Sequence, residues 1–288
     1  MANKRIAFAT CAQFPELAPG DQLAVQALAA LDVEAVAAVW DEEGLDWSGF
    51  DAVLLRSTWD YFLKPRDFSA WIDLLVEQNI PLWNPPEILR WNMDKLYLSD
   101  LEEMGFPVTP SVWLPRGAKI KLSELLADKG WEEAVIKPAV SAGAHRTVRV
   151  SRAAVDGAQA QIDEMLLESG ALVQPFMAEI QSEGEWSLMF LGKQYSHAVI
   201  KRPNAGDFRV QMQFGGSTEA IAPSPALIEQ AQAIIDQVGD PLPYARVDGV
   251  EQGGQLILME LELIEPYLFL EEAKGAAERF AAVVKELL

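Results

Sequence analysis

The sequence predicts an α/β chain with a parallel sheet in its first third, followed by mixed α+β units. Three observations carry that expectation. Strand and helix patterns alternate from residue 3 to residue 86, the signature of a parallel sheet with helices on both faces. Later strands pair through tight turns, as LGKQ does inside EGEWSLMFLGKQYSHAVIKRP. Residues 244–266, YARVDGVEQGGQLILMELELIEP, read as a hairpin of two strands around a Gly-Gly turn. At 288 residues and 50% hydrophobic, the chain is large enough for two or three packed units.

In order, NKRIAFAT (3–10) reads as the first strand. A helix follows with its start at Asp21, and Leu23, Ala24, Ala27, Leu28 and Leu31 form its apolar face. VEAVAAVW is the second strand, SGFDAVLLRS a loop and third strand, and PRDFSAWIDLLVEQN the next helix; IPLWNPP closes the run. Ligands of such sheets bind beyond the C-terminal strand ends, where RSTWDY, Arg56 to Tyr61, falls. Residues 85–106 read as one helix ending at Gly105, which places Lys95 mid-helix. FPVTPSVWL and EEAVIKPAV are strands around a short helix, KLSELLADKG; VSAGAHRTVRV is a turn and strand. DGAQAQIDEMLLES is a helix, ALVQPFM a strand and GDFRVQMQFGGS an extended segment. PALIEQAQAIIDQVG is the helix before the hairpin, and EEAKGAAERFAAVVKELL closes the chain.

The formal charge of −20 leaves no clustered basic surface, which argues against nucleic acid and against an anionic membrane. No apolar run reaches the roughly 18 residues of a membrane span. No signal-peptide pattern opens the sequence, and the single cysteine, Cys11, fits a reducing compartment, so a cytoplasmic location is expected.

On the second hairpin strand, strict alternation puts Ile257, Met259, Leu261 and Leu263 on one face and Leu256, Leu258, Glu260, Glu262 and Ile264 on the other. Asp248 on the partner strand joins the two glutamates. Carboxylates at i and i+2 lie about 7 Å apart and repel one another unless a cation sits between them; Mg²⁺ suits that role. The plain alternative is a solvated strand end. Lys137 ends an apolar strand, where an ammonium needs an anion. The small residues Ser141, Ala142 and Gly143 follow, with backbone N–H groups able to close over phosphate oxygens. Lys201, Arg202 and Arg209 are further anion contacts or ion-pair partners. Gln174 to Met177 leave a strand as a hinge, where the backbone can pair with a planar base.

The order of these groups resembles the ATP-grasp ligases, in the glutathione-synthetase-like branch, across the whole chain and most strongly from Asn84 to Pro266. The resemblance implies an ATP-grasp fold with an N-terminal Rossmann-like domain, and ATP and Mg²⁺ as cofactors. It implies that Lys95 and Lys137 meet the nucleotide phosphates and that Ser141, Ala142 and Gly143 belong to a phosphate cover. Gln174, Pro175, Phe176 and Met177 would form the adenine hinge, and Glu185 would meet the ribose. Arg209 and Lys201 would face the transferring phosphoryl group, and Asp248, Glu260 and Glu262 would hold Mg²⁺. The implied units are 1–88, a connecting helix 89–107, a central subdomain 108–175 and a C-terminal subdomain 176–288. RSTWDY, GEWSLMF, YSHAVIKRP, GDFRVQ and ELELIEP are similar to a smaller branch that includes the ring-closing ligase of D-cycloserine biosynthesis. The chain departs from the wider pattern at Glu260-Leu-Glu262, where most members carry Glu-x-Asn.

The activity so implied is an ATP-dependent ligase that activates a carboxylate of a small amino-acid-like substrate and forms a C–N bond. Arg56 and Asp60 would grip the substrate's charged ends, with Trp59 and Tyr61 limiting its size. Intermolecular amide formation is the family-wide expectation. The alternatives are ring closure of the O-ureidoserine type and a non-catalytic ATP-binding module. No G-x-G-x-x-G follows the first strand, which disfavours a Rossmann oxidoreductase. A homo-oligomer is compatible with the sequence.

Overall fold

The computed structural model describes residues 4–204 and 206–288. Asn3, expected to open the first strand, lies outside the described residues. The chain runs β1 (Lys4–Thr10), α1 (Pro19–Ala29), β2 (Val33–Val39), β3 (Ala52–Ser57), α2 (Pro65–Glu77) and β4 (Leu82–Trp83). These strands form a parallel sheet in the order β2-β1-β3-β4. Side chains alternate across it. Ile6, Phe8, Ala52 and Leu54 pack under α1, while Ala7, Ala9, Val53 and Leu55 pack under Phe68, Trp71, Ile72 and Leu75 of α2.

The start of α1 corrects the sequence reading. The helix opens at Pro19, whose fixed φ suits a first turn, and Asp21 is buried within that turn. Its carboxylate accepts from Arg56 Nε at 2.8 Å and from Ser57 Oγ at 2.7 Å, so it serves β3 rather than a helix cap.

The expected single helix over 85–106 is two helices, α3 (Pro86–Met93) and α4 (Tyr97–Glu103). Asp94 is extended, with φ −101 and ψ 124, and its carboxylate accepts from Leu96 N at 2.9 Å. Such a local bond competes with the helical ladder. Lys95 N then donates to Ala139 O at 2.9 Å, which takes Lys95 out of any helix.

A second sheet, order β5-β8-β6-β7, follows: β5 (Val112–Leu114), α5 (Leu122–Lys129), β6 (Glu133–Pro138), β7 (Val148–Ser151), α6 (Asp156–Glu168) and β8 (Ala171–Pro175). Its strands pair antiparallel and pack against Ile162, Met165 and Leu166 of α6. The strand expected over 106–114 shortens to β5 because Pro107 and Pro110 supply no N–H. Pro107 O and Thr109 N bond to Leu258 instead.

The third sheet is five-stranded and antiparallel, in the order β11-β10-β9-β12-β13. It comprises β9 (Glu185–Leu191), β10 (Gln194–Arg202), β11 (Ser217–Ala220), β12 (Tyr244–Gln252) and β13 (Gln255–Glu262). The short helix α7 (Glu179–Ser182) precedes it, α8 (Pro225–Ile235) covers one face, and α9 (Ala276–Leu287) closes the chain against α1. Residues 206–217 are not extended as expected. Asp207 Oδ1 accepts from Phe208 N and Arg209 N and curls the segment on itself, and the first paired residue is Ser217.

The hairpin forms as expected, with Gly253 and Gly254 both at positive φ in the turn. Its faces do not follow strict alternation. Asp248 pairs with Glu260 while the next residue, Gly249, pairs with Leu258, so Met259 is an extra residue in a β-bulge. A Cβ on Gly249 would meet Ile257 O at 2.5 Å, so only glycine fits opposite the bulge. Leu256, Leu258, Leu261 and Leu263 therefore all join the main core. Ile257 and Met259 pack on the other side with Met177, Ile180, Val210 and Val250.

Candidate active site

Alternation in β9, β10 and β12 sends Trp186, Leu188, Ile200, Ala245 and Val247 into the core under α8. The residues between them, Glu185, Ser187, Lys201, Arg246 and Asp248, share the opposite face. There they form one buried network. Asp248 accepts from Ser187 Oγ at 2.6 Å, from Arg246 Nε and Nη2 at 2.9 Å, and from Lys201 Nζ at 3.2 Å. Lys201 Nζ also donates to Glu185 Oε1 at 2.5 Å, and Arg246 Nη2 donates to Glu262. Although burial opposes ionisation, Arg246 and Lys201 hold the Asp248 carboxyl well below its usual range. Burial pushes the Glu262 carboxyl up to about 7: Arg246 only partly offsets the penalty, and Asp248 and Glu260 add to it.

Beside this network stand two lysines from different segments. Lys95 Nζ, freed by the break between α3 and α4, lies 2.9 Å from Glu260 Oε1 and 2.5 Å from Ser141 O. The two lysines hold Glu260 below the usual glutamate range against the pull of burial. Lys137, at the end of β6, makes no hydrogen bond or ion pair among the described residues. Burial pulls its ammonium below the usual lysine range; Glu260 resists and Lys95 adds to the fall. The Ser141–Gly143 loop folds over this pair. Ser141 is buried, Ala142 packs against the core that α2 covers, and Gly143 O accepts from Gln213 Nε2 at 3.2 Å.

At the hinge, Gln174 is buried with its amide donating to Ser111 Oγ at 2.8 Å. Pro175 ends β8, and Phe176 N donates to Glu133 O at 3.0 Å. Arg149 lies over the Phe176 ring at 3.6 Å. Met177 joins the apolar cluster with Ile257 and Met259, a surface suited to the face of a planar ring.

Several expected site residues stand elsewhere. Asp248, Glu260 and Glu262 do not gather into one cluster: among the described residues no group of three acids is placed to share a metal ion. Each is drawn to a cation instead. Arg209 is folded onto Asp207 (Nη2–Oδ2 2.8 Å) and the Phe214 ring at 3.7 Å. In RSTWDY, Arg56 is internal rather than substrate-facing. Its guanidinium donates to Asp21 and, at 2.9 Å, to Pro266 O, and it lies 4.8 Å from the Tyr244 ring. Tyr61 is buried against Phe68, ring centroids 4.9 Å apart. Asp60 accepts from Trp40 Nε1 at 2.7 Å and lies 3.6 Å from Lys64 Nζ. Trp59 also reaches the end of the hairpin, its Nε1 donating to Glu265 O at 3.0 Å. Arg246, Ser187 and Glu265 are absent from the sequence-based set. Arg246 was discoverable, because i and i+2 on one strand share a face.

Three sheets around a crevice of lysines and acids, with a small-residue loop over it and an apolar hinge beside it, define an ATP-grasp ligase. A model of the N-terminal domain of D-cycloserine synthetase DcsG matches residues 6–84, and a model of the ATP-grasp domain of prokaryotic glutathione synthetase matches residues 99–250. The chain belongs to this family and is a carbon–nitrogen ligase. It is 30% identical to the cycloserine biosynthesis protein DcsG of Streptomyces lavendulae, over 86% of this chain and 87% of that protein. The crystal structure of D-cycloserine synthetase DcsG superposes with a TM-score of 0.86 at 27% identity, covering 98% of this chain and 99% of that one. A D-alanine–D-alanine ligase from Bacillus anthracis complexed with ATP shares the fold, with a TM-score of 0.68 at 17% identity over 98% of this chain and 96% of that one. Among the described residues no helix is long and apolar enough to cross a membrane.

Proposed function

We propose that the enzyme uses ATP to activate a carboxyl-type group of a small amino-acid-like molecule as an acyl phosphate, which a nitrogen then attacks with release of phosphate. The observation that carries this reading is the meeting of Lys95 and Lys137, from two segments, beside Glu260, with Lys137 half-buried and, among the described residues, without an ion pair of its own. A phosphate oxygen is the natural partner for that ammonium. The apolar surface of Met177, Ile257 and Met259 beside the hinge supports adenine binding, with ribose near Glu185.

The donors on this face are hard oxygens, and Glu262, raised to about 7 beside other acids, is a carboxylate short of positive charge. Mg²⁺ fits that need: Glu260 and Glu262 would hold it, with Asp248 fixed behind them by Arg246, and it would supply charge neutralisation at the phosphates. Lys137 neutralises the transferring phosphoryl group, and Lys201 stands on the same face to do so from the other side. Ser141 to Gly143 present backbone N–H groups and exclude water. A cytoplasmic location fits an enzyme that draws on ATP.

A second reading, closure of a ring within one molecule, is favoured by the likeness to the D-cycloserine enzymes, which spans both the N-terminal and the ATP-grasp regions. The test supplies O-ureidoserine alone, then single amino acids, then pairs, and follows ADP. Turnover on O-ureidoserine alone with a cyclic product establishes ring closure. Turnover that requires two different substrates eliminates it. ATP binding without ADP release on any of them would return the chain to a non-catalytic nucleotide-binding module.

A further inference from the structure

Three acids are buried in the described structure: Asp21, Asp248 and Glu265. Asp21 has Arg56, and Asp248 has Arg246 and Lys201. Glu265, 8% exposed, has no ion pair among the described residues, and its carboxyl accepts only from its own backbone N–H. A carboxyl taken out of water without a cation is costly, and a fold that keeps one there needs a reason.

Its surroundings point to a ligand. Glu265 follows the acid strand, on the stretch that faces the C-terminal end of β3. The Trp59 indole is anchored to its carbonyl, and Trp59 in turn packs edge-on to Phe14 at 4.8 Å and lies 6.1 Å from Tyr267. These three rings are only partly buried, so they wall a site open to solvent. Thr58, on the same turn as Trp59, has a fully buried hydroxyl that lacks a partner. Burial pushes the Glu265 carboxyl up to about 8, with Glu262 adding and Lys95 only partly offsetting.

We propose that Glu265 receives the ammonium group of the amino-acid-like substrate, with Trp59 and Tyr267 as the aromatic wall of that subsite. A carboxylate and ring faces together select a compact cation. The group they select is a primary ammonium on the molecule whose carboxyl-type end lies toward Glu260 and Lys137. This assignment rests on the ligase reading and takes over the role expected of Arg56 and Asp60, which are engaged elsewhere.

The experiment compares wild type with Glu265→Gln, using serine, O-ureidoserine and the desamino analogue of each. Affinity is read by calorimetry and KM by ADP release. Glu265→Gln is expected to weaken the amino substrates about 10- to 100-fold, to leave their desamino analogues and ATP unchanged, and so to erase discrimination between the two series. Glu265→Asp, which keeps the charge on a shorter arm, should retain part of it. Unchanged affinity and discrimination in folded Glu265→Gln protein overturns the proposal, as does failure of wild type to prefer any amino compound over its desamino analogue. Absence of ADP release by wild type would count against the ligase chemistry alone, since the calorimetric comparison still reports on Glu265.

Discussion

The RSTWDY turn and the acidic hairpin both carry charge into the interior, and they treat it in opposite ways. Arg56 is fully enclosed and saturated: Asp21, the Pro266 carbonyl, and the faces of Tyr244 and Phe280 take up its guanidinium. Around the hairpin, neither Lys137 nor Glu265 forms an ion pair among the described residues, and Glu262 is held up to about 7. A buried charge with every partner in place is part of the scaffold; one left short of partners marks where a ligand binds.

Four measurements break or sharpen that contrast. Arg56→Ala strands the Asp21 carboxylate and should cost about 3–5 kcal/mol of stability in urea unfolding. Adding Asp21→Asn should recover much of the loss. Unchanged stability would return Arg56 to the list of ligand groups. Glu260→Gln should fold normally by circular dichroism and lose about 100- to 1000-fold in kcat, the scale of removing one electrostatic contact to a reacting phosphoryl group. Full activity with ordinary Mg²⁺ dependence would sink the hairpin as the reaction's seat. Lys137→Ala should weaken ATP about 10- to 100-fold by calorimetry without loss of stability, because the half-buried ammonium has no ion-pair partner among the described residues to abandon.

The smallest effect is on stability against pH. Glu265 holds its proton to about 8 when folded and releases it near the ordinary glutamate value, about 4.3, when unfolded. Between those values the native state binds the extra proton, so stability falls as pH rises, by at most about 1.4 kcal/mol per unit. Glu265→Gln should flatten that slope in thermal melts from pH 5 to pH 8, and an identical slope would mean that Glu265 is already ionised.

The fold class was legible because β1 and β3 are short, almost continuous apolar runs, α2 keeps a helical apolar period, and the two kinds of segment alternate along the chain. Lys137 was legible because an ammonium at the end of an apolar strand has few explanations. What escaped was set by single side chains acting on the backbone. Asp94 breaks a helix that the apolar spacing of 85–106 cannot distinguish from a continuous one, and Asp207 curls a segment composed like a strand. Arg56 was misread for a different reason. Its partner, Asp21, is 35 positions away on another element, and local sequence holds no trace of that contact.

The bulge at Met259 reaches further than the two strands it interrupts. In an uninterrupted strand, 257 and 259 would lie on the side opposite 260 and 262, and a base resting on the first pair could not belong to a molecule whose phosphates meet the second. One surplus residue shifts the phase of the strand by half a cycle, bringing the ring-binding and charge-binding ends of the nucleotide site onto the same surface. The strand thus works as a ruler with a splice in it. Inserting one residue into β12 between Asp248 and Gly249, as a partner for Met259, would leave every acid and every lysine in the chain and still pull the two halves of the site onto opposite sides of the sheet.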